Sequence, residues 1–313
     1  MTQLADLHLH SYFSDGVDSP TDLVIQAKER NLKAIALTDH NTVGGLSEFR
    51  NACIEYNIEY SCGTEITCDY KGSELHILGH FIPEASMLRL DGFLREQVEK
   101  KDAVNLKCIK ALMDDGYPVS PEEFDKIPHE GTRNRKHIAA YLHKKGVVKS
   151  EAEAWRTFLA DDSKYYFKTE KLKALEVIAV LRKLGAVPVI AHPLRLDSEE
   201  RAGKKDNLPL SCLGEFLNEA TAAGLLGIET RHSNTSPERT LLLENAASEH
   251  GLLCSGGSDY HGFFAEGKKA GLEMGCGYVP EISEEEKFGI AVPYEYFVKM
   301  RDLSVKQAII TLK

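Results

Sequence analysis

Disulfide frameworks, membrane spans, basic tracts and glycine-rich phosphate loops are all missing from this sequence. The seven cysteines (Cys53, Cys62, Cys68, Cys108, Cys212, Cys254 and Cys276) are scattered, odd in number and never spaced C-x-x-C. That argues against a disulfide scaffold and for reduced thiols used as small core residues. No apolar run approaches the roughly 20 residues that cross a bilayer. No basic segment followed by an apolar stretch opens the chain, so the expected location is cytoplasmic. Basic residues are in deficit, 38 Lys and Arg against 48 Asp and Glu, for a net charge of −10. Long nucleic acid is held by clustered Lys and Arg that displace counterions, and this balance argues against such a partner. Gly44-Gly45 is a turn into a helix, not a Walker loop. Ser258 lacks the context of a nucleophile elbow. The single Trp, Trp155, is expected as a core residue of a helix.

What is present is a rhythm of strand then helix. The 313 residues, 42% hydrophobic and 27% charged, suffice for one large core with an insertion. Ser19-Pro20-Thr21-Asp22 combines a capping Ser, a first-turn Pro and an acid, and predicts a helix running to residue 30. Residues 33–38 predict a buried parallel strand. A helix is expected near 44–56, and strands at 58–61 and 74–81. Helices are expected at 174–184, 216–223 and 237–250, closed by Gly185, Gly224 and Gly251. Strands at 187–191, 225–229 and 252–255 follow them. This alternation implies βαβ units and a parallel sheet or barrel. Four expected helices interrupt the rhythm between about 84 and 168. The expected organisation is therefore a body of residues 1–83 and 169–283 and a helical insertion at 84–168 that serves as a lid. A tail at 284–313 docks on the body or on a second copy. Oligomeric state is not legible.

The polar residues of interest cluster where apolar runs end. His8 and His10 are at i and i+2, so on a strand they face the same way and can chelate one ion. Alone, the pair fits two ordinary histidines equally well. Asp15 lies in the next loop, and His40 ends the following strand. Glu65 and His76 come next. His192 ends an apolar strand, and Asp259 and His261 follow the last one. These nine donors, six imidazoles and three carboxylates, suit Zn, Mn or Fe(II). Strand C-termini are where such donors converge in an α/β barrel. Asp6 and Asp39 adjoin ligands and fit either the orienting of imidazoles or a turn role.

The motifs, taken in order, are DLHLHS at 6–11, SDG at 14–16, LTDHN at 37–41, GTEIT at 63–67, LHILGH at 75–80, AHP at 191–193 and GGSDYHG at 256–262. As a set they resemble the PHP (polymerase and histidinol phosphatase) phosphoesterase superfamily. The resemblance implies an α/β fold, a distorted (β/α)7 TIM-like barrel, with two or three divalent metal ions (Mn, Zn or Fe) at the strand ends. His8, His10, Glu65 and Asp259 would hold the first. Glu65 would bridge to the second, with His76 and His192. Asp15, His40 and His261 would hold the third, Asp15 standing where some relatives have His. Glu65, His40 and Asp259 are marked as catalytic.

Further motifs bear on the substrate. Residues 134–139 resemble a G-R-P-H-I-A segment whose Arg and His reach a substrate phosphate. That implies phosphate contacts by Arg135 and His137, with Lys136 in place of Pro. Residues 227–233 resemble G-I-E-V-Y-H-S, which puts His232 near the phosphate and Arg231 in place of an aromatic. The Lys136 and Arg231 changes imply extra negative charge on the substrate. Lys168, in a segment returning from the insertion, is a further expected contact. The implied activity is phosphoester hydrolysis by metal-bound hydroxide. The expected substrate is small and nucleotide-like, such as a nucleoside monophosphate or 3′,5′-bisphosphate. Alternatives are a cyclic phosphodiesterase, an exonuclease on short oligonucleotides, a histidinol phosphatase or a noncatalytic module. The full ligand set speaks against the last. Amide hydrolysis is disfavoured because Glu65 stands where a bridging carboxylated lysine would be needed.

Overall fold

The strands form where β-compatible residues are buried on both faces. β1 (Leu4–Leu9) is buried from Ala5 onward and β2 (Ala34–Leu37) throughout. β2 therefore reads as an apolar run, whereas β1 alternates apolar Ala5, Leu7 and Leu9 with buried Asp6 and His8. In the computed structural model they pair in parallel, and β2 pairs in parallel with β3 (Glu59–Cys62). A short C-terminal strand, β10 (Val292–Pro293), adds antiparallel to β1, giving the order β10-β1-β2-β3. The structure describes residues 3–127, 133, 135–160, 162–168, 170–194, 208–232, 235–262, 274 and 292–311.

The second sheet contains β4 (Thr64–Tyr70), β5 (Ser73–His80), β6 (Leu172–Lys173), β7 (Val187–Ile190), β8 (Gly227–His232) and β9 (Leu253–Gly257), in the order β6-β4-β5-β7-β8-β9. β5 runs antiparallel to both β4 and β7, while β7, β8 and β9 are parallel. The expected all-parallel sheet is thus corrected to a mixed one. The reason is local. Lys71 and Gly72 have φ of 51° and 90°, so the chain turns back in two residues. Turns with two positive φ values match the twist of paired strands and make a tight hairpin.

Backbone hydrogen bonds join the two sheets at two places. The His10 amide donates to the Tyr260 carbonyl at 3.0 Å, and the Asp259 amide to that of His8 at 3.0 Å. Past the end of β2 the Asn41 amide donates to the Glu65 carbonyl at 2.8 Å, and the Glu65 amide to that of Asp39 at 3.1 Å.

Helices cover these strands. α1 (Pro20–Glu29) starts at the expected capping box, in which Ser19 and Asp22 satisfy each other's backbone amides. α2 (Leu46–Tyr56) leads into β3. The chain divides into two compact units, one of Met1–Asp91 with Leu172–Lys313 and one of Gly92–Lys171. In the larger unit α7 (Ala174–Lys183), α8 (Leu210–Ala223) and α9 (Pro237–Glu249) separate the later strands. α10 (Tyr294–Thr311) buries Tyr296, Phe297 and Met300 in one cluster with Ala5, Leu7, Val187 and Val189. This part of the tail therefore packs on its own chain.

The smaller unit has its own core, in which Ile109, Leu112, Phe124, Ile138 and Leu142 are buried together. It is built from the end of α3 (Glu84–Asp114), then α4 (Pro121–Asp125), α5 (Arg135–Lys144) and α6 (Glu151–Ala154), which runs on as a π turn over Trp155–Leu159. Ser120 and Ser150 cap α4 and α6 by accepting the amides of Glu123 and Glu153. No helix among the described residues is long and apolar enough to cross a membrane.

Candidate metal centre

All nine expected donors lie in the larger unit. His8 sits in β1 and His10 just beyond it; both are fully buried. Glu65 is the second residue of β4, and His76 lies in the facing strand β5. His40, His192, Asp259 and His261 follow β2, β7 and β9. The chain bends sharply at these ends, with φ of 52° at Asn41, 27° at His192 and 57° at Asp259. Such backbone is strained for non-glycine residues and persists where the surroundings hold it. β9 passes β1 so closely that a Cβ on Gly257 would sit 2.3 Å from that of His8.

Glu65 divides the histidines between its two oxygens. Oε1 lies 2.6 Å from His76 Nδ1 and 3.0 Å from His192 Nε2. Oε2 lies 3.2 Å from each of His8 Nε2, His10 Nε2 and His40 Nδ1. Asp259 Oδ1 completes one cluster at 3.5 Å from His8 Nε2 and 3.2 Å from His10 Nε2. Asp15 Oδ1 forms another, 3.0 Å from His261 Nε2 and 3.9 Å from both His40 Nε2 and His10 Nδ1. Three donor groups of metal-binding geometry result: His8, His10, Glu65 and Asp259; His10, Asp15, His40 and His261; and His40, Glu65 and His76. His40 thus stands between two groups, where the resemblance implies only one.

The donor set fits divalent ions. His8 Nε2, both ring nitrogens of His10, His40 Nδ1 and Glu65 Oε2 are buried with no hydrogen-bond partner. Buried polar atoms normally have one, so unpaired lone pairs aimed at a common point are what a metal site leaves. Burial alone would depress the His8 and His10 imidazoles, but neighbouring carboxylates overcome it: Glu65, Glu229 and Asp259 at His8, and Asp259 and Glu65 at His10. They hold His8 well above the ordinary value and push His10 up to about 10. His40 goes the other way, to about 3, because burial outweighs its carboxylate neighbours. Glu65 and Asp15 stay well below the usual carboxylate range despite burial, because several imidazoles together face each of them. The centre therefore pairs buried negative charge with basic nitrogens, a setting that a divalent ion satisfies in place of protons.

Surrounding groups fix these donors. His261 Nδ1 lies 2.7 Å from the Asp259 carbonyl, which directs Nε2 to Asp15. Asp39 accepts from the Ser11 amide, the Ser11 hydroxyl and the Ser14 hydroxyl, each at 2.7 Å. Asp6 accepts from the Ser258 amide at 3.0 Å and the His8 amide at 3.3 Å. The bonds described for Asp39 thus go to Ser11 and Ser14, and those described for Asp6 to backbone amides. Glu229, which drew no notice for its own sake within the 227–233 motif, lies 3.1 Å from His8 Nδ1. The available signal was an acid in a strand otherwise reading as buried.

The expected phosphate contacts are placed as follows. His232 is buried with Nε2 3.4 Å from Asp259 Oδ2. Arg231 pairs with Glu244 at 3.0 Å and lies over Tyr296, so its charge is met within the protein. That corrects the expectation that it signals extra substrate charge. Arg135, Lys136, His137 and Lys168 belong to the smaller unit. The Arg135 guanidinium lies 5.0 Å from the Trp155 ring and 5.1 Å from that of Tyr166, and donates to the Leu159 carbonyl at 2.9 Å. Lys168 is exposed. Asn134 and Ser233 of the quoted motifs, and residues 284–286 of the tail, lie outside the described residues.

Residues 6–169 match the PHP domain family. The chain belongs to that family. A solved structure from Bifidobacterium adolescentis, provisionally described as a metal-dependent phosphoesterase, superposes on this PHP protein with a TM-score of 0.74 at 27% identity, covering 95% of each chain. A 5′-3′ exoribonuclease of Haemophilus influenzae is 30% identical over 83% of this chain and 91% of its own. A phosphoribosyl 1,2-cyclic phosphate 1,2-diphosphodiesterase of Eggerthella lenta is 26% identical over 87% and 99%. A 3′,5′-nucleoside bisphosphate phosphatase of Chromobacterium violaceum is 27% identical over 82% and 86%. Phosphoester hydrolysis is common to these named activities and is the enzyme class of this PHP protein.

Proposed function

We propose that this PHP protein hydrolyses a phosphate ester of a small nucleotide-like substrate, a mononucleotide or 3′,5′-bisphosphate, at two or three divalent ions. The carrying observation is the division of five histidines between the two oxygens of buried Glu65. That arrangement suits a carboxylate bridging two ions. His8, His10 and Asp259 would complete the first position, His76 and His192 the second, and Asp15, His40 and His261 the third. Zn, Mn and Fe(II) all suit this nitrogen and oxygen donor set. Such ions, when bound, supply an activated water and offset phosphate charge.

The chain's own residues do the positioning. Glu65 would serve the first two positions together, with His40 against its Oε2 and Asp259 against His8 and His10. Arg135, Lys136, His137, Lys168 and His232 are proposed phosphate contacts. Arg135 supports that role by its fork geometry, braced by two aromatic rings. We further propose that the two sheets close as a distorted (β/α)7 TIM-like barrel, which the bonds at His10 and Asn41 support. A cytoplasmic location is proposed on the free, mostly buried cysteines.

A second reading, stepwise hydrolysis of short RNA, is favoured by the 30% identical exoribonuclease. The test is elemental analysis with a phosphate-release panel of bisphosphonucleotides, mononucleotides, cyclic phosphates, histidinol phosphate and short RNA. Release from bisphosphonucleotides above the others supports the proposal; degradation of RNA alone favours the second reading. Glu65→Ala is expected to lose several orders of magnitude in turnover while folded. Near-normal turnover would remove the bridging assignment, and absence of both metal and release would overturn the whole proposal.

A further inference from the structure

We propose that Glu229 is a positioning residue that sets the first and second metal positions together, an inference resting on the metal-centre reading above. Glu229 lies in β8 and is buried, as are both of its partners. Its Oε1 is 3.1 Å from His8 Nδ1, and its Oε2 accepts the His192 backbone amide at 2.6 Å. One carboxylate thus holds a ligand assigned to each position.

The two contacts do different work. A carboxylate only accepts, so the His8 ring must present Nδ1–H to it. That fixes the tautomer and leaves the Nε2 lone pair facing Glu65 Oε2, 3.2 Å away. At His192 the constraint is on the backbone. This residue has φ of 27° and precedes Pro193, a position where helical backbone is disfavoured. The short charge-assisted bond from its amide holds the bend that aims Nε2 at Glu65 Oε1, 3.0 Å away. The His8 and His192 rings stack with centroids 5.6 Å apart and planes 18° from parallel. Two residues therefore span two buried carboxylates: Glu229 behind holds the His8 ring and the His192 backbone, and Glu65 in front receives one imidazole on each oxygen. Ligands from β1 and from the end of β7, distant in sequence, are locked to one spacing.

The isosteric variant Glu229→Gln discriminates. Its amide has one acceptor and one donor group, so it cannot accept from both His8 and His192. If it donates to His8 Nδ1, the ring flips to the tautomer with a proton on Nε2 and loses the ligand. If it faces the His192 amide with its NH2, the bend loses its partner. Zinc titration against a chromophoric chelator, with circular dichroism as the folding control, is expected to show the first or the second equivalent, according to the orientation of the amide, weakened by about 10–100-fold. Any equivalent bound at Asp15, His40 and His261 should be unchanged. Unchanged affinity for all equivalents in Glu229→Gln, with metal-binding wild type, overturns this proposal alone. Wild type that binds no zinc overturns the metal-centre reading and the proposal with it. Nitrogen-15 histidine spectra of the zinc-loaded wild type give a second measurement that needs no variant. His8 protonated at Nδ1 and coordinated through Nε2 is expected, and the opposite tautomer refutes the role.

Discussion

His80 ends β5 as a fully buried imidazole and offers a quantitative test. Its only described hydrogen bond is a 3.4 Å contact between Nδ1 and the Ser61 hydroxyl, and Nε2 has no partner. Burial, with a smaller contribution from the charge on His8, pushes its pKa down to about 3 from the ordinary 6.5. The unfolded chain thus takes up a proton below pH 6.5 that the fold refuses down to about pH 3. Stability is therefore lost as pH falls through this window and is untouched above it. At about pH 5 the difference is about 1.5 pH units at 1.36 kcal/mol each, or about 2 kcal/mol. His80→Leu removes this titration. At about pH 8 the variant should differ from wild type by only ~1 kcal/mol, since one long hydrogen bond is lost. At about pH 5 the gap should move by about 2 kcal/mol in favour of the variant. Urea melts followed by circular dichroism, with chelator present so that metal binding adds no pH dependence, measure both. A shift below about 0.5 kcal/mol between the two pH values would refute the reasoning.

Two more substitutions probe the centre. Gly257→Ala forces a Cβ to 2.3 Å from His8 Cβ and 2.5 Å from its backbone nitrogen, so β1 and β9 must part. The expected outcome is a loss of about 3 kcal/mol or more with depleted metal; a variant with wild-type melting and full metal content contradicts the close approach. Asp39→Asn keeps one acceptor where three donors now converge from Ser11 and Ser14. It should loosen the loop carrying Asp15 and weaken only the third position, by about 10-fold in a metal titration. Equal weakening of all positions would assign Asp39 a different role.

The candidate donors were legible because several of them end apolar runs and the motifs follow one another in a fixed order. The second strand of the central hairpin was legible too, but its direction was not. Periodicity marks a strand without saying which way it runs. β4 itself escaped notice because its turn is Lys71-Gly72, not the Asn-Gly or Asp-Gly that announces a hairpin. Glu229 was hidden for a different reason: its role depends on two residues that only the fold brings near. Arg231 shows the converse error. A basic residue in a ligand-rich motif suggested substrate charge, yet Glu244 from α9 neutralises it, a pairing no local pattern announces.

The bonds that tie β1 to the turn after β9 also have a temporal meaning. Asp6 and Ser258, 252 residues apart, meet beside His8 and Asp259. A growing chain exposes His8, His10, His40, Glu65 and His76 long before Asp259 and His261 are made. Contacts of such long range slow folding, because a large loop must close before they form. The first donor set is therefore complete only once synthesis has passed Asp259, so a chain truncated earlier lacks it. Capture of an ion by that set would be a late event in synthesis.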